Sequence, residues 1–331
     1  MDKTIGAVTD RRSPNQYCIQ PLILSIAIVM MFIAGGCVTR NTEFARDYYN
    51  LGVGYLDQGD YAQAQQYFAR ALDLDPGLTR ASYNLARAYL LLGEPGRSIQ
   101  VLEDLLVADP ENTLVRETLA FAYGANDDWD QAAYIMEAVA NEQEISVRGW
   151  VNYTVTLIEL ERYSAALHAA DRALVLDPDS HRAKTLLVLA AAYMPERLDE
   201  YEDVLAEVVA KAPDSRAVSM SLGDALEYAE RFDAALKLYE VAAQIHVEQG
   251  ELSFRHGRLL IEVAGEEQQG LNVLTQAVSR GFDDRERLSD VLSQVDGEVP
   301  EALLEPQEED DDVDSESGVP AGELPAINGQ I

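Results

Sequence analysis

Three prolines set the frame for this chain. Pro110 stands 34 residues after Pro76, and Pro178 stands two such intervals beyond Pro110. A fixed period of this length means one supersecondary unit copied and stacked, because no single copy can bury its apolar face alone. Between the prolines, apolar residues recur at the three- and four-residue steps of a helix, and proline stops a helix because it cannot continue one. Each copy therefore holds two helices and a turn, and the chain is expected to be all-α.

The first copy contains Tyr48, Leu51, Gly52 and Tyr55, then Gly59-Asp60-Tyr61, Ala64, Phe68, Ala71 and Pro76. The second repeats this as Leu85, Ala86, Tyr89, Gly93, Leu102 and Pro110, and the third as Leu119, Ala120, Tyr123, Trp129, Ala132 and Met136. Trp150, Tyr153, Leu157, Tyr163, Ala166, Ala170, Ala173 and Pro178 mark the fourth. These signatures resemble the tetratricopeptide repeat family. The resemblance implies a right-handed superhelical solenoid of about six or seven repeats, with units near 45–78, 79–112, 113–146, 147–180, 181–215, 216–249 and 250–281. The fifth unit departs from the pattern, with Pro195 in its turn and one extra residue before Pro213. Residues 282–295 are expected to form an amphipathic capping helix.

At the N-terminus, Lys3, Arg11 and Arg12 precede an uncharged, mostly apolar run over 21–36, which ends at Cys37. This is the build of a secretory signal. Sixteen helical residues reach about 24 Å, short of a ~30 Å hydrocarbon core. Ile33-Ala34-Gly35-Gly36-Cys37 resembles the lipobox of bacterial lipoproteins, although Ala34 stands where that family more often has Leu or Val. The resemblance implies that 1–36 is removed and Cys37 lipidated, with 37–44 as a linker. The implied location is the bacterial envelope, on the outer membrane facing the periplasm. An uncleaved single-pass anchor in the inner membrane is the alternative.

The other end is acidic. Residues 296–331 hold no Lys or Arg, and Glu308–Asp314 holds six carboxylates, so a disordered tail is expected there. Asp310, Asp312 and Asp314 alternate as in a calcium loop, but Ser315 replaces the turn glycine and Ala321 the closing carboxylate. The whole chain carries 58 acidic and 25 basic residues, for a net charge of −33, which excludes sequence-independent nucleic-acid binding. Its four histidines are dispersed, and no phosphate loop, nucleophile elbow or H-E-x-x-H is present. No enzyme activity, metal or cofactor is expected.

In tetratricopeptide arrays the first helix of each unit lines a concave groove that receives a peptide or protein segment. Carried onto this chain, the groove set is Arg46, Tyr49, Val53, Leu56, Arg80, Tyr83, Arg87, Leu90, Phe121, Arg148, Val151, Val155, Ile158 and Arg182. An apolar face dotted with arginine suits a partner with apolar anchors and acidic flanks. The family's carboxylate clamp is not visible, since Asn50, Asn84 and Asn152 recur without its lysines. Ala45–Asp60, just after the lipobox, resembles the opening of the pilotin lipoproteins of type IV pili, which implies a membrane-anchored scaffold for an envelope complex. Two other functions fit the same features: an adaptor lipoprotein for cell-wall hydrolases, and a regulatory protein whose repeats dock a substrate.

Overall fold

The computed structural model describes residues 42–142, 145–248 and 250–304. The expected signal segment, Cys37 and residues 305–331 lie outside the described residues. Among those described, every regular element is helical. Successive pairs are α1 (42–57) with α2 (Tyr61–Leu74), α3 (Thr79–Leu91) with α4 (Pro95–Ala108), and α5 (Thr113–Gly124) with α6 (Trp129–Glu142). Then come α7 (Val147–Glu159) with α8 (Tyr163–Leu176), and α9 (His181–Ala192) with α11 (Glu202–Lys211). The last pairs are α12 (Arg216–Tyr228) with α13 (Phe232–Ile245) and α14 (Gly250–Glu262) with α15 (Glu267–Ser279).

The caps recur with the sequence period. Asn112, Ser146 and Ser180 stand 34 residues apart, and each accepts a hydrogen bond from the third backbone N–H of the helix it opens: Val115, Gly149 and Ala183. Such a cap is worth about 1 kcal/mol. The turn inside each pair also recurs. In the first pair Gly59 N–H donates to Leu56 O and Asp60 N–H to Tyr55 O, and Gly93 and Glu94 repeat this against Leu90 and Tyr89. This helix stop needs a left-handed residue, which glycine provides without steric penalty; Gly59 has φ +78° and Gly93 φ +73°.

Inside five of the seven pairs, side-chain volumes compensate. Counting from the first residue of a unit, position 8 and position 24 read Gly52/Phe68, Ala86/Leu102, Ala120/Met136, Thr154/Ala170 and Gly223/Tyr239. All but Gly52 and Gly223 are buried side chains, and those two glycines are themselves buried. The rings occur only where position 8 is glycine: a Cβ on Gly52 would sit 2.6 Å from Phe68 Cε1, and one on Gly223 would sit 2.3 Å from Tyr239 Cζ. The smallest inward residue, Ala170, pairs with the branched Thr154. Dense packing requires such matching, because voids and overlaps both destabilise.

The chain folds as two compact units divided between Leu105 and Leu106, within α4. In the first unit Ala64, Phe68, Leu85, Ala88 and Tyr89 form the core, and Tyr49, Val53, Tyr55, Leu56, Leu72 and Val101 pack against it. In the second unit one core runs from Ala120 to Leu259 and another gathers Phe254, Leu271, Leu274, Phe282, Leu288 and Val291. Nine of the twelve residues of α9 are buried, which explains why residues 186–192 are apolar on every face. Pro195 opens a four-residue helix, α10 (Pro195–Leu198), and a 3-10 turn over Asp199–Tyr201 leads into α11. The extra chain of the fifth unit is spent there.

Two features of the C-terminal end differ from expectation. The helix expected over 282–295 is α16 (Arg285–Leu292), opened by the Asp284 side chain, which accepts from Arg287 N–H. The ordered fold also continues past 296. Residues Glu301–Leu304 form α17, Leu303 is buried, and Val295 and Val299 pack on the same core. The loss of basic residues at 296 therefore does not mark the end of packing, because burial of apolar side chains, not charge, decides where folded structure stops.

Candidate functional site: the first-helix faces

Eight of the fourteen expected groove residues fall in the first unit and six in the second. In the first, Arg46 and Arg80 are exposed, and Tyr83, Arg87 and Leu90 are partly buried. Asn84 links this face: its Nδ2 donates to Tyr49 Oη at 3.2 Å and its Oδ1 accepts from Arg87 Nη1 at 3.2 Å. Asn84 is thus committed within the fold. Tyr49, Val53 and Leu56 lie against the core and expose only part of their surface.

In the second unit, Phe121 and Ile158 are half-buried, and Arg148 and Arg182 are exposed. Val151 and Val155 correct the expectation: they are 5% and 8% exposed and belong to the core. The reason is the close approach of α7 to its neighbours α5 and α9, which leaves these valines as packing surface. A carboxylate holds part of that approach. Glu117, on α5, is 8% exposed and accepts from Ser146 N–H at 2.8 Å and Ser146 Oγ at 2.6 Å, at the start of α7.

Further along, the sequence reading missed a line of tyrosines. Tyr163, at the start of α8, stacks on Tyr193, which caps α9, with ring centroids 4.6 Å apart and 14° between planes. Tyr193 meets Tyr228, the last residue of α12, at 5.9 Å. Tyr228 is 66% exposed, and the other two are half-buried. Tyr193 and Tyr228 occupy the same repeat position, offset by the one extra residue of the fifth unit, and this was the available signal.

Carboxylates surround these rings. Burial raises the Tyr193 hydroxyl pKa first, and the charges of Asp224, Glu159 and Glu161 raise it further. Tyr163 is raised by burial, by its neighbour tyrosines and by Glu161 and Glu159. The Glu159 carboxyl is itself raised, by partial desolvation and then by Asp127. Beyond the ladder the acids become paired. Asp224 bonds Arg255, Arg255 Nε reaches Glu251 at 2.8 Å, and Arg287 reaches the same carboxylate at 2.9 Å. Arg258 bridges Glu227 at 2.6 Å and Glu262 at 3.1 Å. Burial pushes Glu251 up, but hydrogen bonds from Arg287 and Arg255 hold it below its ordinary value. The last first-helix faces are therefore closed by their own ion pairs.

A separate hollow of about 580 Å³ lies between α11 and α13, lined by Leu205, Val209, Phe232 and Val263. The cations on its rim are engaged, Arg231 with Asp199 and Glu202, and Lys237 with Glu240. Among the described residues no group of three or more His, Cys, Asp or Glu is arranged to hold a metal ion, and no helix is long and apolar enough to cross a membrane.

Comparison with known proteins agrees with this architecture. Tetratricopeptide repeat models match residues 55–120 and 198–246. A tetratricopeptide repeat protein from Parabacteroides merdae ATCC 43184 aligns at 16% identity over 76% of this chain and 98% of its own, with a TM-score of 0.53. The Cut9-Hcn1 hetero-tetramer of the APC/C aligns at 15% identity over 80% of this chain and 45% of the other, with a TM-score of 0.50. PilF of Pseudomonas aeruginosa aligns at 20% identity over 77% and 99% of the two chains, but its TM-score of 0.42 gives it no weight. No curated protein sequence matches. The fold is the all-α tetratricopeptide solenoid, and residues 55–120 and 198–246 carry the family's repeat pattern.

Proposed function

We propose that this chain is a membrane-anchored, non-catalytic scaffold lipoprotein that binds a protein or peptide partner and assists assembly of an envelope complex. The observation that carries the reading is the order of parts: Ile33-Ala34-Gly35-Gly36-Cys37 stands directly before a stack of tetratricopeptide repeats. Stacked repeats offer extended first-helix faces rather than an enclosed pocket, and such surfaces bind other chains. A lipid at Cys37 would hold those faces at the outer membrane, since two or more acyl chains anchor stably where one is marginal. Ala45–Asp60, with its likeness to pilotin lipoproteins, favours secretin or type IV pilus assembly as the process served.

Metabolic labelling with radioactive palmitate tests the anchor. The native chain is expected to take up label and fractionate with the outer membrane, and Cys37→Ala to lose both. Equal labelling of the two would overturn the lipoprotein reading.

A further inference from the structure

Three observations converge on the edge of the second unit where α5, α7, α9 and α12 end. The first is the tyrosine ladder Tyr163–Tyr193–Tyr228, whose outer ring is 66% exposed. The second is a substitution in the repeat itself. Where other units place glycine in the left-handed turn, three units place an acid: Asp127 at φ +60°, Glu161 at φ +57° and Glu230 at φ +56°. The turn hydrogen bonds are unchanged, for Glu161 N–H donates to Ile158 O and Arg162 N–H to Leu157 O, as Gly59 and Asp60 do. A side chain in this conformation is disfavoured, and a carboxylate just beyond a helix C-terminus also meets the negative end of the helix dipole.

The third is that, among the described residues, no basic side chain pairs with the acids at 127, 159 and 161. The last turns of α5, α7, α9 and α12 contain no basic residue. Neighbouring arginines are turned to other work: Arg162 pairs with Glu137 at 3.0 Å, Arg197 with Glu200 at 2.7 Å, Arg231 with Asp199 and Glu202, and Arg255 with Asp224 and Glu251. Among the described residues Asp127, Glu159 and Glu161 have no ion-pair partner.

We infer that the Tyr163–Tyr193–Tyr228 ladder and the carboxylates of Glu159 and Glu161 form a docking surface for an arginine- or lysine-bearing segment of a partner protein. Tyrosine faces attract a cation through the ring quadrupole, and a guanidinium also stacks flat on them. The acids at the helix ends give the same cation a charge partner and relieve the dipole. The occupant is thus basic, the opposite of the acidic-flanked segment that the first-unit arginines suit. This inference rests on the proposed role of the chain as a partner-binding scaffold.

Fluorescence anisotropy with labelled hexa-arginine and its uncharged hexa-citrulline counterpart, on the full chain in 0.15 M salt, tests it. At that salt, exposed charges beyond ~8 Å are screened, so contacts dominate over the net charge. Tyr228→Ala is expected to weaken hexa-arginine binding about two- to fivefold, the worth of an exposed cation–π contact. Glu161→Gln is expected to weaken it as well. The controls Tyr134→Ala and Asp130→Asn change exposed residues of α6, which carries no ring of the ladder, and are expected to change nothing. Equal effects of ladder and control variants, equal binding of the two peptides, or no binding at all would overturn the inference. Ladder-dependent self-association without peptide would assign the face to a second copy and overturn it too. If the ladder variants are silent while a photoreactive residue placed at Phe121 still crosslinks a partner protein in cells, the docking site fails and the scaffold role stands; loss of crosslinking from Phe121 as well removes the scaffold role itself.

Discussion

Replacing Glu161 with glycine separates what the turn wants from what the surface needs. Glu161 holds φ +57° in a turn where Gly59 and Gly93 hold φ +78° and +73° with the same hydrogen bonds. A side chain there costs about 1–2 kcal/mol. Glycine removes that penalty but gives back about 0.4–1 kcal/mol, because its unfolded chain is freer. The balance is a gain of about 0–1.6 kcal/mol, and loss of a carboxylate beyond the C-terminus of α7 acts in the same direction. Urea unfolding followed by circular dichroism reads this as a raised midpoint at constant slope. The same variant is expected to bind hexa-arginine more weakly. A midpoint that falls would refute the backbone reasoning, and a stabilised variant with undiminished binding would show that the acid is not held there for a cation.

Other consequences follow from the packing and the ion pairs. Gly223→Ala places a methyl 2.3 Å from the Tyr239 ring, and overpacking of this kind costs about 1–3 kcal/mol; an unchanged urea midpoint would contradict the volume matching of positions 8 and 24. Glu117→Ala removes the charged acceptor of the Ser146 N–H and hydroxyl and is expected to cost about 1.5–3 kcal/mol, with a normal midpoint as the contrary result. Glu251 is held below its ordinary value of 4.5, so its pairing stabilises fully above that pH and is lost as pH falls through the lower folded value. The midpoint difference between the native chain and Arg287→Ala is therefore expected to be constant near neutrality and to shrink in acid. A remainder persists because Arg287 also lies 4.5 Å over the Phe254 ring. A difference independent of pH would refute the pairing.

The fold was legible because its determinants are local and repeated. Prolines at multiples of 34, caps at 112, 146 and 180, and glycine beside a ring at Gly52/Phe68 each act within one helix pair. The expected groove was less legible, because the same repeat position is core in one unit and surface in the next. Val151 and Val155 occupy positions assigned to the groove, yet α5 and α9 close over them. The tyrosine ladder was hidden for another reason: Tyr163 sits in a second helix and meets Tyr193 and Tyr228 only through stacking. The acids at 127, 161 and 230 look like ordinary solvated charge until their backbone shows that they stand in glycine's place. Leu303 shows a similar limit, since one buried leucine extends the fold into a segment whose composition argues for disorder.

Photo-crosslinking in living cells tests the scaffold role most directly. A photoreactive residue placed singly at Phe121, Tyr228 and Tyr134 compares two first-helix positions with an exposed position on α6, and mass spectrometry identifies what is captured. The expected result is one defined envelope protein captured from Phe121 and Tyr228 and absent from Tyr134, with a basic segment at the Tyr228 crosslink. Capture of nothing, or of the same mixture from all three positions, would contradict it.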